Sequence, residues 1–262
     1  MDRLDRTFRE PGKKLIIYLT AGYPSPGADE ELAHCAIEAG ADILELGFPF
    51  SDPVADGPLI QEASRVALEN GMSLRGTLAL AGRIRKRKDT PLILMGYVNP
   101  VYRMGYGTFS QRAADEGVDG IIVPDLPMEE SGPLKGDLHR AGISLIPMAA
   151  PTTPPARVER LLSSGSGFLY LVSMTGLTGD AIASSADWKP VAASARDMGK
   201  LPVCLGFGIR HGRDAAEVVG DVNGVVVGSA VTRVIMEAGS PDAALRSVDE
   251  LIRELASAVN SG

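Results

Sequence analysis

One unit recurs along this chain: a short apolar strand, a loop carrying Gly, Pro or Asp, and an amphipathic helix. The strands read as Lys14–Thr20, Asp42–Gly47, Pro91–Tyr97, Gly120–Val123, Ser144–Met148, Phe168–Val172, Pro202–Gly206 and Gly224–Val227. Several are announced by a helix end with Gly and a short apolar burst, as in Ala39-Gly-Ala-Asp-Ile43 and Arg140-Ala-Gly-Ile-Ser-Leu145. Gly suits the left-handed residue that closes a helix. Helical patterns occupy the intervals, among them Asp29–Ala39, Thr108–Glu116, Glu129–Ala141, Ala156–Ser163 and Ala186–Met198.

Eight such units in about 250 residues are the arithmetic of a (β/α)8 TIM barrel, here a single domain over residues 1–262. Continuous apolar strands fit a parallel sheet covered on both faces. A doubly wound open sheet is the alternative, and it usually carries a Gly-x-Gly-x-x-Gly turn after its first strand. This chain has Ala21-Gly-Tyr-Pro24 there instead. Extra helices are expected at the N-terminus (residues 1–9, at the barrel base), before the third strand (Leu74–Lys88) and at the C-terminus (Ala243–Val259).

The composition narrows the partners. A net charge of −7 makes nucleic acid or an anionic membrane a poor fit. The basic run Arg83-Ile-Arg-Lys-Arg-Lys88 reads as the solvated end of a helix. The apolar run Leu15–Leu19 is too short for a signal segment or a membrane span. Two distant cysteines, Cys35 and Cys204, form no disulfide framework and fit a reducing cytoplasm.

In such barrels the active site lies at the C-terminal strand ends. Residues falling there include Glu45, Asp52, Asp56, Tyr97, Asn99, Asp125, Tyr170 and Thr178. No lysine joins them: Lys13, Lys14 and Lys200 lie at strand beginnings, and Lys86, Lys88, Lys135 and Lys189 in helices. A Schiff-base mechanism, which needs an amine near the substrate carbonyl, is disfavoured. His34 and His139 fall on helices, and His211 starts one. No His and carboxylate cluster of the kind that binds metal forms, so no metal site is expected. Carboxylates remain for proton transfer. Side chains alternate faces along a strand, so Glu45 shares a buried face with Ile43 and Gly47. A buried Glu is costly unless it is used or paired. Asp52 and Asp56 are equal candidates on local grounds, since both also suit turns.

The last three strands end in glycine-bearing loops: Thr175-Gly-Leu-Thr-Gly179, Leu205-Gly-Phe-Gly-Ile209 and Val227-Gly-Ser-Ala230, where Ser229 can cap the next helix. Small residues and helix N-termini admit anions, and phosphate sites after strands seven and eight recur in this fold. Carboxylates on one side of the mouth and an anion cradle on the other suit isomerisation or carbon–carbon cleavage of a phosphorylated small molecule. A phosphosugar epimerase would need a metal or a second strand-borne acid, for which Asp125 is the candidate. A catalytically silent phosphate-binding barrel would not need Glu45 and Asp56.

The stretch Leu44-Glu-Leu-Gly-x-x-Phe-Ser-Asp-Pro-x-Ala-Asp-Gly57 resembles the signature of the tryptophan synthase α subunit family. The likeness continues through Tyr97-Val-Asn-Pro100, Pro124-Asp-Leu-Pro127, Ala150-Pro-Thr-Thr153, Tyr170-Leu-Val-Ser-x-Thr-Gly-x-Thr-Gly179, Gly206-Phe-Gly-Ile209 and Val227-Gly-Ser-Ala230, over essentially the whole chain. The resemblance implies a lyase of tryptophan biosynthesis, cleaving indole-3-glycerol phosphate to indole and glyceraldehyde 3-phosphate by a retro-aldol step. It implies Glu45 as the general acid–base group and Asp56 as the acceptor of the indole N–H. It implies Gly179, Gly208, Gly228 and Ser229 around the phosphate, and Tyr18, Met95, Tyr97, Ile122 and Tyr170 around the indole. Thr178 would close a loop onto Asp56. Pro49, Asp52 and Pro53 would face a pyridoxal-phosphate β subunit in an α2β2 heterotetramer, the α chain itself needing no cofactor. A free-standing lyase that releases indole uses the same residues. The N-terminal helix looks short for the family, Asp180–Trp188 looks compact, and Met174 occupies a variable position.

Overall fold

The computed structural model describes residues 3–172, 188–206 and 208–261. Its order begins α1 (Arg3–Arg9), β1 (Lys14–Thr20), α2 (Ala28–Ala39), β2 (Ile43–Gly47), α3 (Pro58–Glu69), α4 (Leu74–Arg85), β3 (Leu92–Met95), α5 (Val98–Met104) and α6 (Tyr106–Asp115). It continues β4 (Gly120–Ile122), α7 (Gly132–Ala141), β5 (Ser144–Leu145), β6 (Met148–Ala149), α8 (Pro155–Ser164) and β7 (Leu169–Val172). It ends α9 (Lys189–Met198), β8 (Val203–Gly206), α10 (Gly212–Val219), β9 (Gly224–Val227), α11 (Ser229–Glu237) and α12 (Pro241–Asn260). The described strands form one parallel sheet in the order β5-β4-β3-β2-β1-β9-β8-β7-β6.

The expected fifth strand, Ser144–Met148, appears as two short pieces, β5 and β6. Pro147 has no N–H to donate to a ladder. The wall nevertheless continues through this segment. Ile146 N–H donates to Ile121 O at 3.0 Å on one side, and Pro147 O accepts from Tyr170 N–H at 2.9 Å on the other. The fifth stave thus bonds β4 with its first half and β7 with its second, and the sheet curls into the TIM barrel that the repeating units imply.

Strand side chains divide into two layers. Leu15, Ile17 and Leu19 of β1 face the helices, in the larger cluster with Leu44, Leu46, Leu92 and Leu94. Ile16 and Tyr18 face the lumen with Ile43, Ile93, Met95, Ile122, Ile146, Phe168, Tyr170, Cys204 and Val226. Turns between units close as the glycine pattern requires: Gly142, after α7, sits at φ 73°, a conformation that costs other residues strain.

α1 plugs the lumen from below. Leu4 is fully buried in the lumen cluster, and the Phe8 ring packs on Phe168 with centroids 5.6 Å apart. Charges lock the plug. Arg3 donates to Asp89 at 2.6 Å and to Asp119 at 3.0 Å, while Arg85 donates to Asp119 at 2.7 Å. Asp119 also accepts the Leu92 N–H at 2.8 Å. Arg85 therefore departs from the reading of residues 83–88 as a solvated helix end: its side chain is only 14% exposed and its guanidinium also binds Gly117 O. Arg83 and Lys88 fit that reading better, pairing at the surface with Glu30 and Glu38.

Two helices were not legible as such in the sequence. α3 begins at Pro58, directly after the Asp56-Gly57 turn, and α5 begins at Val98 with Tyr97 as its N-cap, so the third strand stops at Met95 instead of running to Tyr97. The extra helices expected at the N-terminus, before the third strand and at the C-terminus are present as α1, α4 and α12. No helix among the described residues is long and apolar enough to cross a membrane.

Asp119 is the best single test of this base. Asp119→Ala removes an acceptor from two guanidiniums and leaves the buried Leu92 N–H without its partner, and the expected loss is about 3 kcal/mol, the scale for breaking a buried ion pair. Urea unfolding should show a lower midpoint at an unchanged slope.

Candidate active site

β2 carries the central acid. Glu45 lies between Tyr18 of β1 and Ile93 of β3 in the parallel register. Alternation along Ile43-Leu-Glu-Leu-Gly47 turns it into the lumen. It is wholly buried, and neither carboxyl oxygen has a hydrogen-bond partner among the described residues. Burial first, and the nearby Asp56 charge second, push its pKa up to about 8.

Asp56 arrives from the loop after β2. Tyr97 Oη donates to Asp56 Oδ2 at 2.9 Å and accepts the Ala55 N–H at 3.0 Å. Burial raises the Asp56 pKa to about 6, against the opposing pull of the Tyr97 hydrogen bond. The same loop places its other acid elsewhere. Asp52 is exposed, which separates it from Asp56, its equal on local grounds. Of the residues expected on a partner-facing surface, Asp52 is exposed, Pro53 half-buried and Pro49 buried.

The expected pocket residues Tyr18, Met95, Ile122 and Tyr170 gather in the lumen cluster around Glu45. Two glycines make room for the rings. A Cβ on Gly47 would lie 2.0 Å from Tyr18 Oη, and one on Gly206 would lie 2.4 Å from Tyr170 Oη. Gly206 thus serves the aromatic packing, a use that glycine counting alone could not separate from anion binding. Tyr97 stands apart from this cluster, at the start of α5, with its ring stacked on Phe50 at 5.4 Å. Sequence reasoning missed Ile60, which α3 brings into the lumen cluster, and missed Phe50. Asp125 is exposed, unlike Glu45, and its Oδ1 accepts the Val98 N–H at 2.8 Å.

Across the mouth, Gly228 is the N-cap of α11 and Ser229 its first residue, so Ser229 does not cap the helix with its side chain. The first bond of α11 runs from Thr232 N–H to Gly228 O, leaving the N–H groups of residues 229–231 ahead of the ladder. Gly208 adopts φ 84°. Such an end attracts an anion. Thr178 and Gly179, like Met174 and residues 180–187, lie outside the described residues.

This disposition has relatives. Residues 4–260 match the family described as tryptophan synthase alpha chain. A tryptophan synthase alpha chain from Methylococcus capsulatus is 42% identical, with the whole of both chains covered. The chain belongs to the tryptophan synthase alpha chain family. Among solved structures, the tryptophan synthase subunit alpha of Legionella pneumophila superposes with a TM-score of 0.87 at 35% identity, covering both chains fully. A chain of Mycobacterium tuberculosis tryptophan synthase gives 0.91 at 32% identity, over 100% of this chain and 99% of that one. Membership makes the protein a lyase-type enzyme of tryptophan biosynthesis with a TIM-barrel fold. It also implies a β-subunit partner and is consistent with an alpha chain that carries no cofactor.

The unpaired Glu45 should cost the fold stability in a defined pH window. Its folded pKa lies above its unfolded value of about 4.3, so the cost is absent below that pH. It grows as pH rises and is complete above about 8. Glu45→Gln removes it. The variant should match wild type near pH 4.5 and exceed it by on the order of 5 kcal/mol at pH 8.5, for a shift of nearly four pKa units at about 1.4 kcal/mol each. Denaturant unfolding of both proteins across that range measures the difference.

Proposed function

We propose that Glu45 and Asp56 divide the work of the family's reaction, the retro-aldol cleavage of indole-3-glycerol phosphate to indole and glyceraldehyde 3-phosphate. The observation that carries this reading is the separation of two carboxyls at one mouth, with pKa values near 8 and near 6. At neutral pH Glu45 holds its proton and Asp56 does not. Pairs of acids pushed apart in this way mark acid–base assignments.

Glu45 protonates indole C3. Its carboxylate then takes the proton of the glycerol C3′ hydroxyl as the carbon–carbon bond breaks and the aldehyde forms. Asp56 accepts a hydrogen bond from the indole N–H and stabilises the positive charge of the indolenine, a charge that exists only along the reaction path. Tyr18, Met95, Ile122 and Tyr170 enclose the indole. The N-terminus of α11, with Gly228 and Ser229, binds the phosphate together with Gly208 and Gly179, and Thr178 closes over Asp56. The chain acts in the cytoplasm as the α subunit of an α2β2 assembly. Asp52 and Pro53 face a β subunit that holds pyridoxal phosphate.

Indole release from indole-3-glycerol phosphate, with and without added β subunit, tests the assignment. A strong acceleration supports the α-subunit role; fast turnover with no binding makes the chain a free-standing lyase. Glu45→Gln should lose about 10²–10⁴-fold in kcat, the range for a general acid–base group. Asp56→Asn should lose about 100-fold, as for one preorganised electrostatic partner. Wild-type turnover in either variant refutes its role. The kcat/KM profile should be a bell, falling below about pH 6 as Asp56 protonates and above about pH 8 as Glu45 ionises.

A further inference from the structure

Asp56 reaches the mouth on a loop, and loops position groups poorly unless they are tied down. One hydroxyl does the tying. Tyr97 Oη spends its single proton on Asp56 Oδ2 (2.9 Å) and accepts the preceding residue's N–H, from Ala55, at 3.0 Å. Two consecutive residues of the loop after β2 thereby hang on one atom of the segment after β3. Asp56 N–H is turned inward to Pro53 O at 3.1 Å, and Gln61 Nε2 donates to Asp56 O at 2.9 Å, so the loop's own backbone is closed.

Tyr97 is itself held from two sides. Its ring stacks on Phe50, from the same loop as Asp56. Its backbone is the extended N-cap of α5, at φ −91° and ψ 154°. The first N–H of α5 has no partner within the helix. Asp125 supplies one from the loop after β4, with Oδ1 2.8 Å from Val98 N. Three successive loops of the barrel are thus joined in one line: Asp125, Val98 N–H, Tyr97, Asp56.

We propose that Tyr97 and Asp125 are positioning residues for the lyase reaction. Tyr97 fixes the Asp56 carboxylate, and Asp125 fixes Tyr97 by seating the first turn of α5. The inference rests on the role given above to Asp56. It assigns Tyr97 a task beyond lining an indole pocket, and it removes Asp125 from consideration as an acid.

A hydrogen bond donated to a carboxylate favours its charged form. Its loss therefore raises the Asp56 pKa above about 6, and the acid limb of the rate profile moves to higher pH. The groups around Asp56 that also bear charge or titrate are Glu45 on β2, Tyr18 on β1, Tyr170 on β7 and Tyr97 itself; Asp125 acts on Tyr97. The tyrosines are all held above their ordinary range by burial and stay neutral across the profile. Glu45 governs the alkaline limb, so the two limbs separate its titration from that of Asp56.

The test uses Tyr97→Phe, Asp125→Ala and Asp125→Asn in the full chain. Tyr97→Phe should lower kcat about 10- to 100-fold, the scale of one hydrogen bond to a charged group, with KM changed far less. Its acid limb should move up in pH. Asp125→Ala should shift kcat and the acid limb in the same direction by a smaller amount, and Asp125→Asn, which keeps the acceptor oxygen, should restore both. Carboxyl ¹³C titration of Asp56 in wild type and Tyr97→Phe reads the same shift without turnover. A Tyr97→Phe protein altered only in KM, or with Asp56 titrating as in wild type, overturns the proposal. Equal losses in the two Asp125 variants overturn the part given to Asp125. Wild-type protein inactive on indole-3-glycerol phosphate defeats the proposed function instead, and the titration still decides the positioning.

Discussion

A carboxyl without a partner sits at the centre of this barrel. Glu45 is wholly buried, unbonded among the described residues and walled by Tyr18, Ile93 and Tyr170. Removing a carboxylate from water is expensive, and the group responds by keeping its proton. The cost falls on a strand held on both sides. β2 is bonded to β1 and β3 along its length, and its outward residues Leu44 and Leu46 are fully covered by the helical layer. The barrel supplies the stability that lets the lumen hold a buried, protonated carboxyl.

The two ends of the barrel handle charge differently. At the base, Asp119 is satisfied by Arg3, Arg85 and a backbone N–H, and these bonds lock α1 beneath the lumen. At the mouth, Glu45 is left unpaired and Asp56 is bound by a neutral phenol. A guanidinium beside Asp56 would have held its pKa low. A phenol orients it while leaving burial free to raise it toward 6. This division follows the fold's separation of a stabilising base from a reactive mouth.

Much of this was legible residue by residue. The strand periodicity located β1, β2 and β7 to within a residue or two, and alternation alone turned Glu45 inward. The glycine punctuation predicted helix ends such as Gly142. Other features were hidden for identifiable reasons. α5 is only seven residues long and starts at Val98-Asn-Pro100, which reads as a turn, so Tyr97 looked like the end of a strand. Arg85 sits in a basic run whose neighbours are exposed, and only the approach of Asp119 from another unit buries it. Pro147 interrupts a strand whose pairing continues on both sides. Gly206 reads as one more anion-loop glycine until Tyr170 is seen to occupy the space a side chain would need.

By itself the sequence determined the repeating unit, the inward-facing acid on its second strand and the glycine-bearing ends of its last strands. These are local properties: period two in a strand, special backbone angles, small residues where a ring or an anion must approach. Only the tertiary structure decided that Pro49 is buried while Asp52 is not, that the Tyr97 hydroxyl bonds Asp56, and that Asp125 bonds the N–H next to Tyr97. Those outcomes depend on contacts between residues about 40 and 27 positions apart, brought together by the curl of the sheet. Nothing in the spacing of the residues along the chain encodes which of several similar side chains such a contact will select.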